Sequence, residues 1–294
     1  MILFVLPAHA FLGRELALSL GIRLGEFSIE RFPNQELHAV IQTHVANEEC
    51  LILGTIAPPD EQLLSLLLLS HTLKKEGART LLALLPYLAY ARDDKQKAGQ
   101  SLATAWAGAV LQASGVDEVI TVDVHSFIAQ RLFPMPLVSL SPADLFAQEM
   151  KRLSLLNATI VAPDEGARNR CQAVARAAGI AEEVVVLEKK RTRQGVVHVN
   201  ISGNAGQQAV IVDDILDTGG TLVSCCEQLR HRGVRDITIL VTHGLFTGTL
   251  WLKLWTLGVK RIYCTDTVPL TKERPTENIR TLSVLPLLCQ NLIR

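Results

Sequence analysis

The chain has 294 residues, and its 29 lysines and arginines balance its 29 aspartates and glutamates. At roughly 150 residues per domain, this length favours two domains over one. With 48% hydrophobic, 5% aromatic and 20% charged residues, the composition is typical of a folded globular protein and excludes extensive disorder. A formal net charge of zero supplies no overall positive field, so we expect no nucleic-acid partner.

Cysteine spacing and apolar runs give expectations about cell compartment. The cysteines form neither a C-x-x-C pair nor zinc-type spacing with histidine, which favours buried thiols in a reducing cytoplasm. They are Cys50, Cys171, Cys225, Cys226, Cys264 and Cys289. The longest apolar stretch, residues 63–73, falls short of the roughly 18 residues expected of a membrane span. We therefore expect a cytoplasmic protein without a membrane partner.

The predicted elements repeat one order along the chain: an amphipathic run, a glycine, then a short apolar burst. The glycines that stand between run and burst are Gly77, Gly115, Gly233 and Gly258. A glycine suits the left-handed residue that ends a helix, and a continuous apolar burst suits a strand buried on both faces. The pattern predicts an α/β fold with mostly parallel sheets.

The two halves of the chain also resemble each other. The segment LLLLSHTLKKEGARTLLALLPYLAYA in the first half and LVSCCEQLRHRGVRDITILVTHGLFT in the second share one helix, glycine and strand layout. This predicts two similar α/β domains, residues 1–142 and 143–294, joined near a proline-bearing segment. Ligands of such sheets bind at the carboxyl edge of the strands, so polar residues just after the apolar bursts are the candidate site.

The most informative motif is QQAVIVDDILDTGGTLVSCCEQLRHRG, residues 207–233. We predict a buried strand that ends at Val212, with Asp213 and Asp214 at its tip, followed by a helix that opens at the segment Asp217, Thr218, Gly219, Gly220 and Thr221. Backbone N–H groups at such a helix start favour a phosphate, and adjacent carboxylates suit two sugar hydroxyls. The motif therefore predicts a ribose phosphate site. An Asp-rich turn with Thr218 as helix N-cap is the structural alternative.

The string VIVDDILDTGGTL resembles the ribose 5-phosphate loop of the phosphoribosyltransferase fold, most closely that of the ribose-phosphate pyrophosphokinase family. The resemblance implies two tandem phosphoribosyltransferase-like domains, with ATP on the first and ribose 5-phosphate on the second. It also implies transfer of the β,γ-diphosphate of ATP to the 1-hydroxyl of ribose 5-phosphate, giving 5-phosphoribosyl 1-diphosphate and AMP for nucleotide biosynthesis.

Further family segments follow in order along nearly the whole chain. RFPNQELHAVI resembles the segment that receives the adenosine of ATP from a neighbouring subunit, LLPYLAYARDD the strand and loop with the ATP-contacting arginine, and VDVHSFIAQRLF the stretch whose histidine helps to hold magnesium-ATP. The implied ATP-binding residues are Phe32, Asn34, Glu36, Arg92, Asp94 and His125. The resemblance also implies a homo-oligomer, either dimer or hexamer.

The second half supplies the implied metal and catalytic residues. IVAPDEGARNRCQAVA resembles the second magnesium segment, so Mg²⁺ is expected at His125 and Asp164. VVVLEKKRTRQG resembles the catalytic loop, with Lys189 and Arg191 in the matching places. Taken alone, this basic cluster is typical of a solvated surface. A lone histidine such as His125 is more often structural, and an aromatic residue such as Phe32 more often packs in the ordinary way. The resemblance favours the functional interpretation of each.

The chain departs from the family pattern on the ATP side. Asp93 follows Arg92 where the family has glutamine, and the stretch that begins at Lys95 is about two residues short. A negative charge near the ATP phosphates predicts weaker nucleotide affinity or an altered nucleotide choice. Ala167 stands where the family favours glycine, which matters if a phosphate approaches there. We expect regulation by phosphate and ADP to be reduced or absent.

Two other functions stay open at this point. A phosphoribosyltransferase would consume 5-phosphoribosyl 1-diphosphate, but it would have one such domain and no KKR loop. A non-catalytic homologue that regulates an active partner would be favoured by a broken loop, and both loops are whole. We also expect Trp251, Leu252, Leu254 and Trp255 to lie in the core rather than at an interface.

Overall fold

The structure is a computed structural model that describes residues 1–181, 183–192, 195–202, 206–269 and 277–292, and for 189–192 and 195–202 it describes the backbone alone. The chain divides into two compact units. The first comprises Met1–Leu140 together with Leu285–Arg294, and the second comprises Ser141–Val284.

The first unit is built on a six-stranded parallel sheet with the order β2-β1-β5-β6-β7-β8. Its strands are β1 Ile2–Val5, β2 Arg23–Leu24, β5 Glu49–Leu53, β6 Thr80–Leu85, β7 Glu118–Val122 and β8 Leu137–Leu140. A separate antiparallel hairpin is formed by β3 Phe27–Arg31 and β4 Leu37–Ile41. The helices are α1 Ala10–Leu20, α2 Glu61–Lys75, α3 Ala103–Ala113, α4 Phe127–Arg131 and, from the C-terminus, α8 Leu285–Leu292.

The second unit is built on a seven-stranded sheet with the order β11-β10-β9-β12-β13-β14-β15, parallel except for the β10–β11 pair. Its strands are β9 Thr159–Ala162, β10 Val185–Thr192, β11 Gly195–Ser202, β12 Gln208–Leu216, β13 Asp236–Gly244, β14 Val259–Thr265 and β15 Ile279–Leu282. Its helices are α5 Ala143–Arg152, α6 Arg168–Ala178 and α7 Gly220–His231, with a 3-10 helix at Leu250–Leu257.

The two sheets share one strand order. Without the antiparallel β11, the second sheet reads β10-β9-β12-β13-β14-β15, so each strand matches the strand at the same place in the first sheet. The glycines that suggested the duplication occupy equivalent places: Gly77 (φ 92°) precedes β6 and Gly233 (φ 90°) precedes β13. This confirms the predicted fold of two mostly parallel α/β sheets flanked by helices.

The core of the second unit lies on both faces of its sheet. Successive residues of β12 alternate between two apolar clusters, Ala209 and Ile211 facing one and Val210 and Val212 the other. Continuous apolar strands are therefore buried on both sides, as parallel sheets require. Of the four residues expected in the core, Trp251 and Leu254 are buried there, Trp255 packs against it partly exposed, and Leu252 is exposed.

The C-terminal helix α8 belongs to the first unit, whereas the predicted boundaries placed it in the second domain. Leu288 and Leu292 are buried, and α8 packs against α1. A short amphipathic helix must bury its apolar side, and the first unit supplies the surface. At the other boundary, Leu140 and Ser141 separate the units close to the predicted position.

All six cysteines are free thiols, and every one except Cys289 is buried. Across the part of the chain that the structure describes, no helix is both long enough and apolar enough to span a membrane.

Candidate active site

The predicted ribose phosphate loop connects β12 to α7 in the second unit. The prediction that β12 ends at Val212 is wrong, because the strand continues to Leu216, where Ile215 and Leu216 pair with β13. Asp213 and Asp214 therefore lie inside the carboxyl-terminal part of the strand and not beyond its end. Gly219 is the N-cap of α7 in the left-handed region (φ 87°), and as a glycine it has no side chain with which to cap the helix. The first N–H groups of a helix have no carbonyl partner within the helix, so the start of α7 suits an anion, as the phosphate interpretation requires.

A buried tryptophan dictates the glycine at the start of this helix. A Cβ added to Gly219 would lie 2.8 Å from Trp251 Cα and 2.7 Å from Trp251 Cβ. Trp251 is fixed in turn, since its indole Nε1 donates to the carbonyl of Gly248 (3.0 Å) and its ring packs edge-on against Phe246. The turn can approach the 3-10 helix this closely only with glycine. By contrast, a Cβ at Gly220 would meet only Leu250, at 3.9 Å.

The paired aspartates are electrostatically coupled. Asp214 is 5% exposed, and its backbone N–H donates to Asp213 Oδ1 (3.0 Å). Burial, then the adjacent Asp214 carboxylate, raises the pKa of Asp213 well above its usual range, while Arg170 of α6 opposes the shift. Arg170 Nη1 lies 3.9 Å from Asp214 Oδ1. The Asp213 carboxyl group therefore retains its proton to a higher pH than an isolated aspartate does.

Asp164 lies at the carboxyl end of β9, in the same unit and at the same sheet edge. Its extended backbone leads from the strand into a 3-10 turn, and its Oδ1 accepts the N–H of Ala167 (3.2 Å). Ala167 is 1% exposed and its methyl group packs in the core cluster beside α6. The side chain that replaces the family's glycine is therefore directed into the core and not towards a ligand.

The side chains of Asp164 and His125 fit a magnesium ion that takes most of its ligands from substrate and water. Within the described ranges, no three His, Cys, Asp or Glu side chains come together as a metal site. Mg²⁺ usually retains several waters and takes one or two carboxylates together with substrate phosphates, so a single carboxylate at the strand edge is enough. Asp164 supplies that oxygen chemistry. His125, in the first unit, supplies a ring nitrogen, a less usual ligand for a hard cation than an oxygen.

In the first unit, Phe32, Asn34 and Glu36 lie at the exposed tip of the β3–β4 hairpin. The tip is ordered locally: the N–H of Phe32 donates to the carbonyl of Glu36 (2.9 Å), and Asn34 Oδ1 accepts the N–H of Glu36 (3.2 Å). Phe32 is 47% exposed and its ring lies 5.0 Å from that of His38. An exposed ring on a projecting turn suits stacking with a base.

The other predicted ATP residues lie after β6 and β7. Arg92 and His125 are exposed, whereas Asp94 is 8% exposed. The Asp94 carboxylate accepts a short hydrogen bond from the hydroxyl of Ser126, which also caps α4 by accepting the N–H of Ala129 (3.0 Å). Asp94 thereby joins the loop of Arg92 to the residue beside His125. Sequence reasoning missed Ser126, although its place directly before a helix is an N-cap signal.

Lys189 and Arg191 lie on β10, which pairs with β11 as an antiparallel hairpin beyond the parallel sheet. Lys189 is paired with His198 and Arg191 with Val196, and the register shifts between Glu188 and Lys189. Their side chains lie outside what the structure describes. The catalytic role of both residues stays a prediction.

Comparison with known proteins gives a consistent result. Residues 1–115 match the family described as the N-terminal domain of ribose phosphate pyrophosphokinase, and residues 136–257 match the phosphoribosyl transferase domain. The chain is 33% identical to a ribose-phosphate pyrophosphokinase of Wolinella succinogenes over 99% of this chain and 94% of that protein. It is 30% identical to the one of Bacillus caldolyticus, over 99% and 93%. A crystal structure of phosphoribosylpyrophosphate synthetase from Mycobacterium smegmatis superposes with a TM-score of 0.87 at 24% identity, covering 98% of this chain and 96% of that one.

Two α/β units of one strand order, the second with an acidic strand followed by a glycine-started helix, define a protein of the phosphoribosyltransferase fold class. Within that class, the relatives that are at least 30% identical over almost the whole length are ribose-phosphate pyrophosphokinases. The chain belongs to the ribose-phosphate pyrophosphokinase family, as its motifs predicted.

Proposed function

We propose that the protein transfers the β,γ-diphosphate of ATP to the 1-hydroxyl of ribose 5-phosphate, giving 5-phosphoribosyl 1-diphosphate and AMP. The observation that carries the proposal is the β12–α7 loop, where Asp213 and Asp214 precede a helix that starts at a glycine N-cap, Gly219. In a chain of this family, that geometry supports ribose 5-phosphate as the acceptor, so the protein acts as an enzyme of nucleotide biosynthesis.

The acceptor is held by two kinds of contact. The 5-phosphate binds the N–H groups from Asp217 to Thr221 at the start of α7, where the helix dipole adds partial positive charge. The ribose hydroxyls bind the carboxyl groups of Asp213 and Asp214. These contacts present the anomeric oxygen to ATP, and such alignment is the larger part of catalysis in phosphoryl transfer.

In the reaction, the anomeric oxygen forms a bond to the β-phosphorus and releases its proton to solvent. The bond from the β-phosphorus to the oxygen shared with the α-phosphorus breaks, and AMP leaves with that oxygen. Lys189 and Arg191 neutralise the charge that develops on the diphosphate, lysine as a point charge and arginine by gripping two oxygens. Bound Mg²⁺ supplies further charge neutralisation, held by Asp164 and, with the nucleotide, by His125.

ATP binds on the first unit through Arg92, Asp94 and His125. We further propose a homo-oligomer in which the hairpin tip with Phe32, Asn34 and Glu36 contacts the adenosine bound to a neighbouring subunit. The exposure of the whole tip, including the aromatic ring, supports this. We propose a cytoplasmic location, which the six free thiols support.

The test is to incubate the purified protein with ATP, Mg²⁺ and ribose 5-phosphate and to follow the products by phosphorus NMR and nucleotide separation. We expect AMP and a pyrophosphorylated ribose in equal amounts. ADP would instead indicate an ordinary kinase. Absence of turnover across varied phosphate and metal would refute the proposal and favour a regulatory homologue, and release of diphosphate from added 5-phosphoribosyl 1-diphosphate and a base would favour a phosphoribosyltransferase.

A further inference from the structure

Asp93 fastens the loop of Arg92 to the start of α3. One carboxylate oxygen of Asp93, Oδ2, accepts both the hydroxyl of Ser101 (2.8 Å) and the backbone N–H of Ala103 (3.0 Å). The hydroxyl of Thr104 lies within hydrogen-bond distance of two carbonyls of the same loop, those of Tyr90 and Asp93, both at 2.9 Å. We name this set, Tyr90, Asp93, Ser101, Ala103 and Thr104, the Asp93 clamp.

The clamp holds a backbone conformation that the loop would not otherwise favour. Tyr90 has a positive φ of 67°, which is uncommon for a residue with a bulky side chain. Its ring packs edge-on against Trp106 of α3, with centroids 5.4 Å apart, and the N–H of Thr104 returns to the carbonyl of Asp93 (3.3 Å). Thr104 itself is fully buried. The loop is therefore tied to α3 by both its side chains and its backbone.

Arg92 lies between two anchored neighbours. On one side Asp93 is tied to α3, and on the other Asp94 is tied to Ser126 next to His125. Such double anchoring fixes the backbone of Arg92 before any ligand arrives, and a preorganised loop loses less conformational entropy on binding.

We propose that Asp93 is a positioning residue of the ATP site, which holds Arg92 in place for the nucleotide through the clamp. This rests on the proposed function. It also reverses the expectation from sequence, where the charge of Asp93 was predicted to weaken nucleotide affinity. The carboxylate lies at the N-terminus of α3, where a negative charge is stabilising, and the hydrogen bonds from Ala103 and Ser101 lower the pKa of Asp93.

The two interpretations of Asp93 predict opposite changes in the KM for ATP when this residue is replaced. If Asp93 repelled the phosphates, both Asp93→Ala and Asp93→Asn would lower the KM for ATP. If the clamp operates, Asp93→Ala raises this KM by about three- to tenfold, the effect of losing one or two ordering hydrogen bonds. Asp93→Asn keeps an acceptor oxygen and therefore raises it less, and Ser101→Ala gives an intermediate rise. The KM for ribose 5-phosphate stays unchanged in all three variants.

Asp117→Asn is the matched control. Its Oδ2 likewise accepts one backbone N–H, that of Leu81 (2.7 Å), and one side-chain donor, Lys74 Nζ (2.6 Å). It lies directly before β7, at the amino edge of the sheet and hence opposite the candidate site. This variant should leave both KM values unchanged. Hydrogen exchange at Ala103 and Thr104 should accelerate in Asp93→Ala and not in the control.

A KM for ATP that is unchanged or lower in Asp93→Ala would overturn the proposal, as would equal rises for both substrates. Calorimetric titration with magnesium-ATP separates this result from failure of the proposed reaction. A wild type that binds ATP without forming product would refute the reaction alone, and the ratio of Kd values between wild type and Asp93→Ala would then decide on the clamp. A wild type that binds no ATP would refute both.

Discussion

Gly219 and Trp251 contact each other so closely that the loop has no space for a side chain between them. The glycine needs its left-handed conformation to turn from β12 into α7, and it needs its missing Cβ to let the tryptophan backbone approach. A core residue of the 3-10 helix thus determines where the N–H groups for a phosphate are directed.

Substitution of Gly219 should therefore damage both folding and acceptor binding. We expect Gly219→Ala to lower the melting temperature by several degrees and to raise the KM for ribose 5-phosphate more than tenfold, because backbone atoms must move apart. Gly220→Ala is the folding control, since it has space for the methyl group and lies in a helix. Thermal unfolding followed by circular dichroism measures the first effect. Equal melting temperatures for both variants would contradict the close contact.

Removal of the Lys189 charge should act on the rate and not on the fold. We expect Lys189→Ala to lower kcat by about two to three orders of magnitude, the range for losing one preorganised group that stabilises transition-state charge. Little change is expected in melting temperature or in substrate KM. Lys190→Ala removes the same charge one residue further along and should have a much smaller effect. A turnover of Lys189→Ala equal to that of the wild type would exclude this lysine from the mechanism.

The aspartate pair should lower the stability of the folded protein and contribute to the binding of ribose 5-phosphate. Asp213 has a raised pKa in the folded state, so its ionisation opposes folding above the pKa of the unfolded chain, and this cost disappears as the pH falls. We expect Asp213→Asn to raise the melting temperature at pH 8 by about 2–4 °C, corresponding to about 1 kcal/mol, with a smaller gain near pH 4. The KM for ribose 5-phosphate should rise in the same variant. A loss of stability at pH 8 would show that the ionised pair supports the fold.

His9 should make the first unit sensitive to acid. His9 is 3% exposed, and neither of its ring nitrogens has a hydrogen-bond partner among the residues that the structure describes. Burial lowers the pKa of His9 to about 4 from an ordinary value of 6.5, so the unfolded chain takes up the proton first. The free energy of unfolding is therefore unaffected by His9 above pH 6.5. It falls as the pH is lowered towards 4, by about 3 kcal/mol at most.

The replacement of His9 by leucine should remove this loss. We expect His9→Leu to unfold at higher denaturant concentration than the wild type at pH 5, with a smaller difference at pH 8. His44→Leu, at an exposed site, is the control and should change stability equally at the two pH values. A difference for His9→Leu that does not depend on pH would contradict the assignment.

Regulation provides the last prediction. The resemblance to the family implies that the loop of Asp93 and the shortened stretch after it takes part in the response to phosphate and ADP. We expect initial rates that need no added phosphate and ADP inhibition that is simply competitive with ATP. Strong phosphate activation with cooperative ADP inhibition in steady-state kinetics would refute this expectation.

Those features that depend on local sequence could be predicted. Gly77 and Gly233 mark helix ends by their own conformational freedom, and the apolar bursts that follow them are long enough to identify buried strands. The shared layout of the segments around them also predicted two units. The DTGGT segment predicted the start of α7 for the same local reason.

Features that depend on distant partners could not be predicted. The extension of β12 arises from the pairing of Ile215 and Leu216 with β13, some thirty residues later in the chain. The raised pKa of Asp213 depends on burial, and the direction of the Ala167 methyl depends on the core beside α6. Asp93 was interpreted by its charge alone, because nothing local shows that α3 begins where its carboxylate can reach Ala103.

The assignment of α8 to the first unit has a consequence for how the protein is made. Residues 141–284 form an insertion between two parts of the first unit, so all of the second unit leaves the ribosome before the helix that completes the first. The second unit can therefore fold during translation, whereas the first has α1 covered only after α8 has been made. A stop codon after residue 284 would thus leave apolar surface exposed on the unit translated first.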